Sequence, residues 1–137
     1  MKKKLTVAKL KKKLDIIFSK YIRLRDCIKT TGDTDRGICN TCGKEVSYSA
    51  ANACHFQSRR YNNTRYDEMN VVLGCVGCNC WGAGEQYKFA KWLDEEHGEG
   101  TADMLEEKAR VIKQWKTFEL EELIEVYKDK VKNIEQT

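Results

Sequence analysis

The chain has 137 residues, 41% of them hydrophobic and 34% charged, which suffices for one modest domain and is too little for two independently packed ones. Its net charge of +4 conceals a gradient: residues 1–30 hold 11 basic and 2 acidic side chains, 31–80 hold 5 of each, and 81–137 hold 9 and 14. No uncharged apolar run approaches the roughly 18 to 20 residues of a membrane span, and Lys9, Lys11, Lys12 and Lys13 interrupt any signal-peptide core, so a cytoplasmic protein outside the membrane is expected.

From the N-terminus, Val7, Leu10, Leu14, Ile17, Tyr21, Leu24 and Ile28 alternate at spacings of three and four and predict one stripe of a long helix, widened by Phe18 and Ile22. Such a stripe serves either packing within the domain or a dimer seam. Thr30, Thr31, Gly32, Asp33 and Thr34 favour turns over continued helix and should end it. The basic segment 1–31 suits a phosphate-contacting arm, with Lys11, Lys12 and Lys13 as expected DNA contacts.

A cysteine-rich middle follows. Val46, Tyr48, Cys54 and Phe56 fall on even positions and Ser47, Ser49 and His55 on odd ones, the period of strands. A hairpin turning at Ala50 to Asn52 would aim His55 away from the face of Cys54 and Phe56. Helical patterns return at Tyr87 to Glu96 with a stop at Gly98, at Ala102 to about Lys113 with Thr101 as N-cap, and at Phe118 to about Ile134. In the last of these, Leu120, Leu123, Ile124, Tyr127, Val131 and Ile134 form a second stripe, able to lie against the first in the same chain or in a partner.

Seven cysteines in a reducing compartment argue for metal rather than a disulfide framework. Cys39-x2-Cys42 and Cys75-x2-Cys78 are two knuckles, each beside a glycine, that together provide the four thiolates of a closed structural zinc site. Cys27 lies beside the helix stripe and reads as a buried thiol. Cys54 and Cys80 flank the central segment as buried thiols or surrogate metal ligands. Between and beyond the knuckles, His55 keeps company with Arg59, Arg60, Arg65, Asn70 and Asn79. A neutral imidazole, cations for a phosphate and oxygen ligands for a divalent metal are a workable kit for phosphodiester hydrolysis.

The stretch Phe18 to Asp26, the first knuckle, Cys54-His55-Phe56, Arg65-Tyr66 with Asn70, and Cys75-x2-Cys78-Asn79 followed by Gly84 resemble the NinG/Rap recombination proteins of lambdoid phages. The order knuckle, histidine, knuckle, asparagine is also similar to phage endonuclease VII and the wider HNH, or ββα-metal, nucleases. The resemblance implies a zinc-stabilised ββα-metal, HNH-like core, placed over 38–97; with the long N-terminal helix over 1–31 and the C-terminal helices over 101–137 that the apolar spacing predicts, the expectation is one α+β, mostly helical domain. It implies nicking of branched DNA, Holliday junctions and D-loops in particular, with Mg2+ or Mn2+, inside the bacterial host cell. His55 matches the general base, Asn79 the asparagine that binds the catalytic metal, Asn70 the middle asparagine that orients the loop through backbone hydrogen bonds, and Arg65 a family arginine expected to contact phosphate.

Many HNH enzymes carry a metal-binding aspartate directly before the base, where this chain has Cys54. A thiolate is a poor ligand for a hard cation, so either Asp67, Glu68 or Glu85, each otherwise a surface charge, supplies the carboxylate or a softer metal occupies the site. Because a four-way junction needs a cut on each of two strands, a homodimer with two matched sites is expected. A catalytically silent zinc-ribbon module that binds DNA or a recombination partner is the alternative.

Overall fold

A computed structural model describes residues 4–79 and 83–136, and of residues 78, 79 and 83–85 it describes the backbone alone. The elements in chain order are α1 (Val7–Thr31), β1 (Arg36–Ile38), β2 (Glu45–Ser47), β3 (Asn52–His55), α2 (Asn62–Arg65), β4 (Val71–Gly74), α3 (Val76–Asn79), α4 (Ala83–His97), α5 (Thr101–Arg110) and α6 (Thr117–Glu135). The protein is thus mixed α+β and mostly helical, and among the described residues no helix is long and apolar enough to cross a membrane.

Helix α1 runs 25 residues, a rod about 37 Å long at 1.5 Å per residue. Thr6 caps its start by accepting from the Lys9 N–H at 3.2 Å. Gly32 ends it at φ 82°, a left-handed conformation that glycine adopts without a Cβ clash. The buried line on α1 is Leu10, Leu14, Phe18 and Ile22, with Val7, Ile17 and Tyr21 only partly buried at its edge. Phe18 and Ile22, which read as broadening the stripe, in fact lie at its centre.

That line packs on Leu120, Ile124 and Tyr127 of α6 in the same chain, and the Phe18 ring meets Tyr127 edge-on at 4.9 Å and Tyr66 at 5.6 Å. Each fully buried side chain of this size contributes about 1.5–3 kcal/mol. The two apolar stripes therefore cover each other within the chain.

The middle of the chain departs from the expected hairpin. Strand β2 pairs backwards with β1, Val46 opposite Gly37, while β3 pairs with β4, Cys54 opposite Val72 and His55 opposite Val71. The chain merely turns between β2 and β3, where the Ala51 N–H donates to the Ser47 carbonyl at 2.9 Å. The reason lies in β4, whose four residues are all buried. An uninterrupted apolar strand is a stronger partner for β3 than the half-exposed β2, and alternation within a segment does not specify which neighbour satisfies it. Cys54 and Phe56 nonetheless share one buried cluster with Val72, Phe89, Leu93 and Leu105, and His55 lies off it.

The third predicted helix also shifts. Helix α5 starts at Thr101 rather than after it, with Gly100 at the N-cap, because the Thr101 hydroxyl donates back to the Gly98 carbonyl at 2.7 Å. It ends at Arg110, three residues before the expected Lys113. Beyond it the chain is drawn out to Trp115, whose indole N–H bonds the Asn62 carbonyl at 3.2 Å and whose ring lies 5.6 Å from Tyr66.

Two acidic residues fasten α1 to the centre. Asp26, 3% exposed, accepts from the Leu73 N–H of β4 at 2.9 Å and from Arg25, which also donates to the carbonyls of Glu68 and Val71. Asp15 does the corresponding work at the other end of the core and belongs to the site described next. Cys27 is fully buried with Ala51 and Leu73, and burial pushes its thiol above the ordinary range.

Candidate functional site

The first knuckle sits in the β1–β2 connection. The Cys39 N–H donates to the Lys44 carbonyl at 2.8 Å, the Gly43 N–H to the Cys39 carbonyl at 2.9 Å, and Gly43 takes φ 77°, so the turn bends both thiols to one side. The second knuckle follows β4 directly, which carries Cys75 to the same place. The sulfur atoms of Cys39, Cys42 and Cys75 all lie within 4.8 Å of one another, with Cys42 and Cys75 at 3.8 Å. Two sulfurs bound to a tetrahedral zinc at ~2.3 Å are themselves about 3.8 Å apart, so these three can hold a metal ion and suit a structural zinc.

Burial by itself would raise the Cys39 thiol, but backbone N–H groups of Cys42, Cys75 and Thr41 aim at it and bring it down to about 7. The expected fourth ligand, Cys78, has its side chain outside the described residues. Cys80 lies wholly outside them, as do the side chains of Asn79 and Glu85.

The second centre is an open cavity of about 730 Å³ lined by Asp15, Ser19, Arg23, Ser49, Cys54, His55, Ser58 and Arg59. Helix α1 contributes one wall and strand β3 with its outgoing loop the other. His55, the last residue of β3, places Nε2 at 3.0 Å from the main-chain carbonyl of Arg65. A carbonyl only accepts, so Nε2 carries the proton and Nδ1 is the lone-pair nitrogen. Burial, the largest effect, lowers the imidazole to about 4; the hydrogen bond to the Arg65 carbonyl and the Asp15 charge oppose it, and the Arg59 and Arg65 charges add to it. The ring is therefore neutral at physiological pH.

The loop from His55 to β4 is closed by Asn70, which is fully buried. Its Oδ1 accepts from the Gln57 N–H at 2.8 Å, and its Nδ2 donates to the carbonyls of Gln57 and Thr64, each at 3.0 Å. These bonds hold the segment that carries Arg59, Arg60 and Arg65.

The arginines do different things. Arg59 is exposed and lines the cavity beside His55. Arg60 is also exposed, stacks over the Tyr61 ring at 5.0 Å and lines a separate groove with Arg110 and Lys113. Arg65 is committed within the protein: Nε and NH2 bond the two oxygens of Asp15 at 3.0 and 2.5 Å, and NH1 donates to the Arg59 carbonyl at 2.8 Å. On α1, Lys11 is tied to Asn62 at 2.7 Å, while Lys12 and Lys13 are exposed.

Of the carboxylates considered for the vacant aspartate position, Asp67 bonds the Met69 N–H and Lys108, and Glu68 bonds Tyr127 and Lys130. Neither lines the His55 cavity. Among the described residues, the carboxylate that lines it is Asp15, which the sequence does not single out, nor Ser19 and Arg23 beside it. A signal was available: Asp15 and Asp26 are the two acids counted among the 11 bases of residues 1–30, and each turns out to hold an arginine.

A mixed α+β chain whose long N-terminal helix forms one wall of a polar histidine cavity, and which also carries a cysteine cluster able to hold a metal, is the class defined by these features. The family described as Bacteriophage Lambda NinG protein matches the chain over residues 1–137, and the chain belongs to that family. Comparison with curated proteins and with solved structures gives no match.

Proposed function

We propose that the protein is a structure-selective DNA endonuclease that hydrolyses phosphodiester bonds in branched recombination intermediates, Holliday junctions and D-loops, in the bacterial host's cytoplasm. The observation that carries this is the His55 arrangement: a neutral imidazole whose Nε2 proton is held by the Arg65 carbonyl, in a cavity that also holds the Arg59 side chain. Nδ1 takes a proton from water, the hydroxide attacks phosphorus, and the bond to the leaving oxygen breaks as that oxygen takes up a proton from solvent water. Arg59 and Arg23 hold the phosphate, and its negative charge raises the imidazole from its low resting value toward one useful for proton transfer. The strand β3, strand β4 and helix α4 order, closed by the cysteine site, is in keeping with a ββα-metal, HNH-like core.

In this reading zinc is bound by Cys39, Cys42, Cys75 and Cys78 and holds the two knuckles together. For the catalytic Mg2+ or Mn2+, the described residues do not by themselves make a shell: Asp15 is the carboxylate in the cavity, and Arg65 and Tyr66 occupy its oxygens. Asn79 is proposed as its ligand on the family resemblance alone. Arg65, expected to contact phosphate, is assigned instead to holding the site together. Lys12, Lys13 and Arg60, with Lys11 beside them, are proposed to contact the DNA backbone. A homodimer would place two such sites on one junction.

The engagement of Asp15 favours one second reading, a zinc module that binds DNA without cutting it. Both are tested by incubating a labelled four-way junction with the protein and Mg2+ or Mn2+. The endonuclease nicks it, and His55→Ala binds zinc and junction yet does not nick. A shifted band without nicks selects the second reading, and nicking by His55→Ala at the wild-type rate refutes the mechanism.

A further inference from the structure

The Arg65 carbonyl that receives the His55 proton is poorly supported by its own element. Arg65 is the last residue of α2, a helix of four residues, too short to hold a main-chain group by its hydrogen-bond ladder alone. What holds it comes from elsewhere. The guanidinium is gripped at both ends, by the two Asp15 oxygens on α1 and by the Arg59 carbonyl on the loop. Asp15 is in turn fixed by the Tyr66 hydroxyl at 2.9 Å, and the Tyr66 ring is packed edge-on against Phe18 and Trp115. The Asp15 and Arg65 side chains are each 17% exposed, so the fork is shielded from the screening that weakens surface pairs.

We propose that Asp15 is a positioning residue that holds His55 in the tautomer able to act as base, by clamping Arg65 so that its carbonyl keeps the Nε2 proton. The proposal rests on the reading of His55 as general base and extends it: the basic N-terminal helix shapes the reacting group as well as offering charge to DNA. Asp15 does not touch the water or the phosphate. It acts through the Arg65 main chain, and the geometry separates it from Asp26, the other acid on α1, whose carboxylate bonds Leu73 and Arg25 and does not line the cavity.

The chain has two histidines, His55 and His97, so nitrogen NMR of histidine-labelled, zinc-loaded protein resolves the His55 ring directly. Wild type at neutral pH should show one tautomer, protonated at Nε2. Asp15→Asn should show an averaged pattern with both nitrogens partly protonated, and a junction-nicking kcat lower by roughly tenfold to a hundredfold with KM little changed, as expected when a reacting group is misplaced but binding is not. Asp15→Glu, which keeps the carboxylate, should recover part of both. Asp26→Asn serves as the control for a purely structural acid and should lower stability while leaving the His55 pattern as in wild type.

Should Asp15→Asn fail to fold, Arg65→Lys carries the test, because it keeps the charge but cannot grip both oxygens, and it too should average the tautomers. A wild-type His55 pattern in the variant that folds overturns the proposal, whether or not the protein nicks junctions. Conversely, a wild type that never nicks removes the endonuclease reading while the NMR result still decides what Asp15 does to His55.

Discussion

The low proton affinity of His55 makes a stability prediction that needs no substrate. The perturbation is acidification, compared between wild type and His55→Gln, whose side-chain N–H can still reach toward the Arg65 carbonyl but gains no charge. Burial and the neighbouring arginines lower the folded value from 6.5 to about 4. Between those values the unfolded chain binds this proton and the folded chain does not. The stabilisation from a neutral His55 is therefore complete above about pH 6.5 and drains away as the pH falls toward about 4.

At about 1.4 kcal/mol per unit, the full loss is about 3 kcal/mol, of which about 2 kcal/mol is gone by pH 5. Urea unfolding followed by tryptophan fluorescence, with zinc saturating, should show wild type losing about 2 kcal/mol more than His55→Gln between pH 7.5 and pH 5. Protonation of the zinc thiolates affects both proteins equally and cancels in the difference. Equal losses in the two proteins would mean that His55 is not held neutral by its surroundings, and the base assignment would lose its electrostatic footing.

Three other outcomes follow from the same geometry. Asn70→Ala removes three hydrogen bonds between a buried side chain and the main chain and should lower stability by about 3 kcal/mol, read from the thermal midpoint; a change within error would show that the loop closes without them. Cys75→Ser should abolish stoichiometric zinc by atomic absorption and lower the thermal midpoint as a chelator does to wild type, since binding at such sites is linked to folding at about 10 kcal/mol; full zinc content in the variant would place the metal elsewhere. Replacing Lys12 and Lys13, both exposed, with alanine should reduce the slope of log affinity for duplex DNA against log salt by about 2 if each meets a phosphate, and an unchanged slope would remove them from the interface.

Several features were legible from the residues because they are local. The α1 and α6 stripes, the stop at Gly32, the grouping of Cys39, Cys42 and Cys75 and the burial of Cys27 all follow from spacing, turn chemistry or side-chain character. The Asn70 bonds to Gln57 and Thr64 lie within one loop and are local in the same sense. What the reading missed was long-range. Strands β2 and β3 carry the expected alternation yet pair with β1 and β4, and Arg65, which the family resemblance offers as a phosphate contact, has a partner that its own neighbourhood in the chain does not reveal. Its partner, Asp15, is 50 residues away.

From its sequence alone, the protein is determined to be mostly helical, with a basic arm, a cysteine cluster suited to metal and one histidine among arginines; periodicity and composition contain that much. Only the tertiary structure decided that α1 packs on α6 within the chain, that β3 takes β4 as partner, and that Asp15 engages Arg65 so that the Arg65 carbonyl can orient His55. The physical reason is the same in each case. A pattern of residues states that a face must be buried or a charge compensated, whereas which distant group does so depends on where the packed chain brings it.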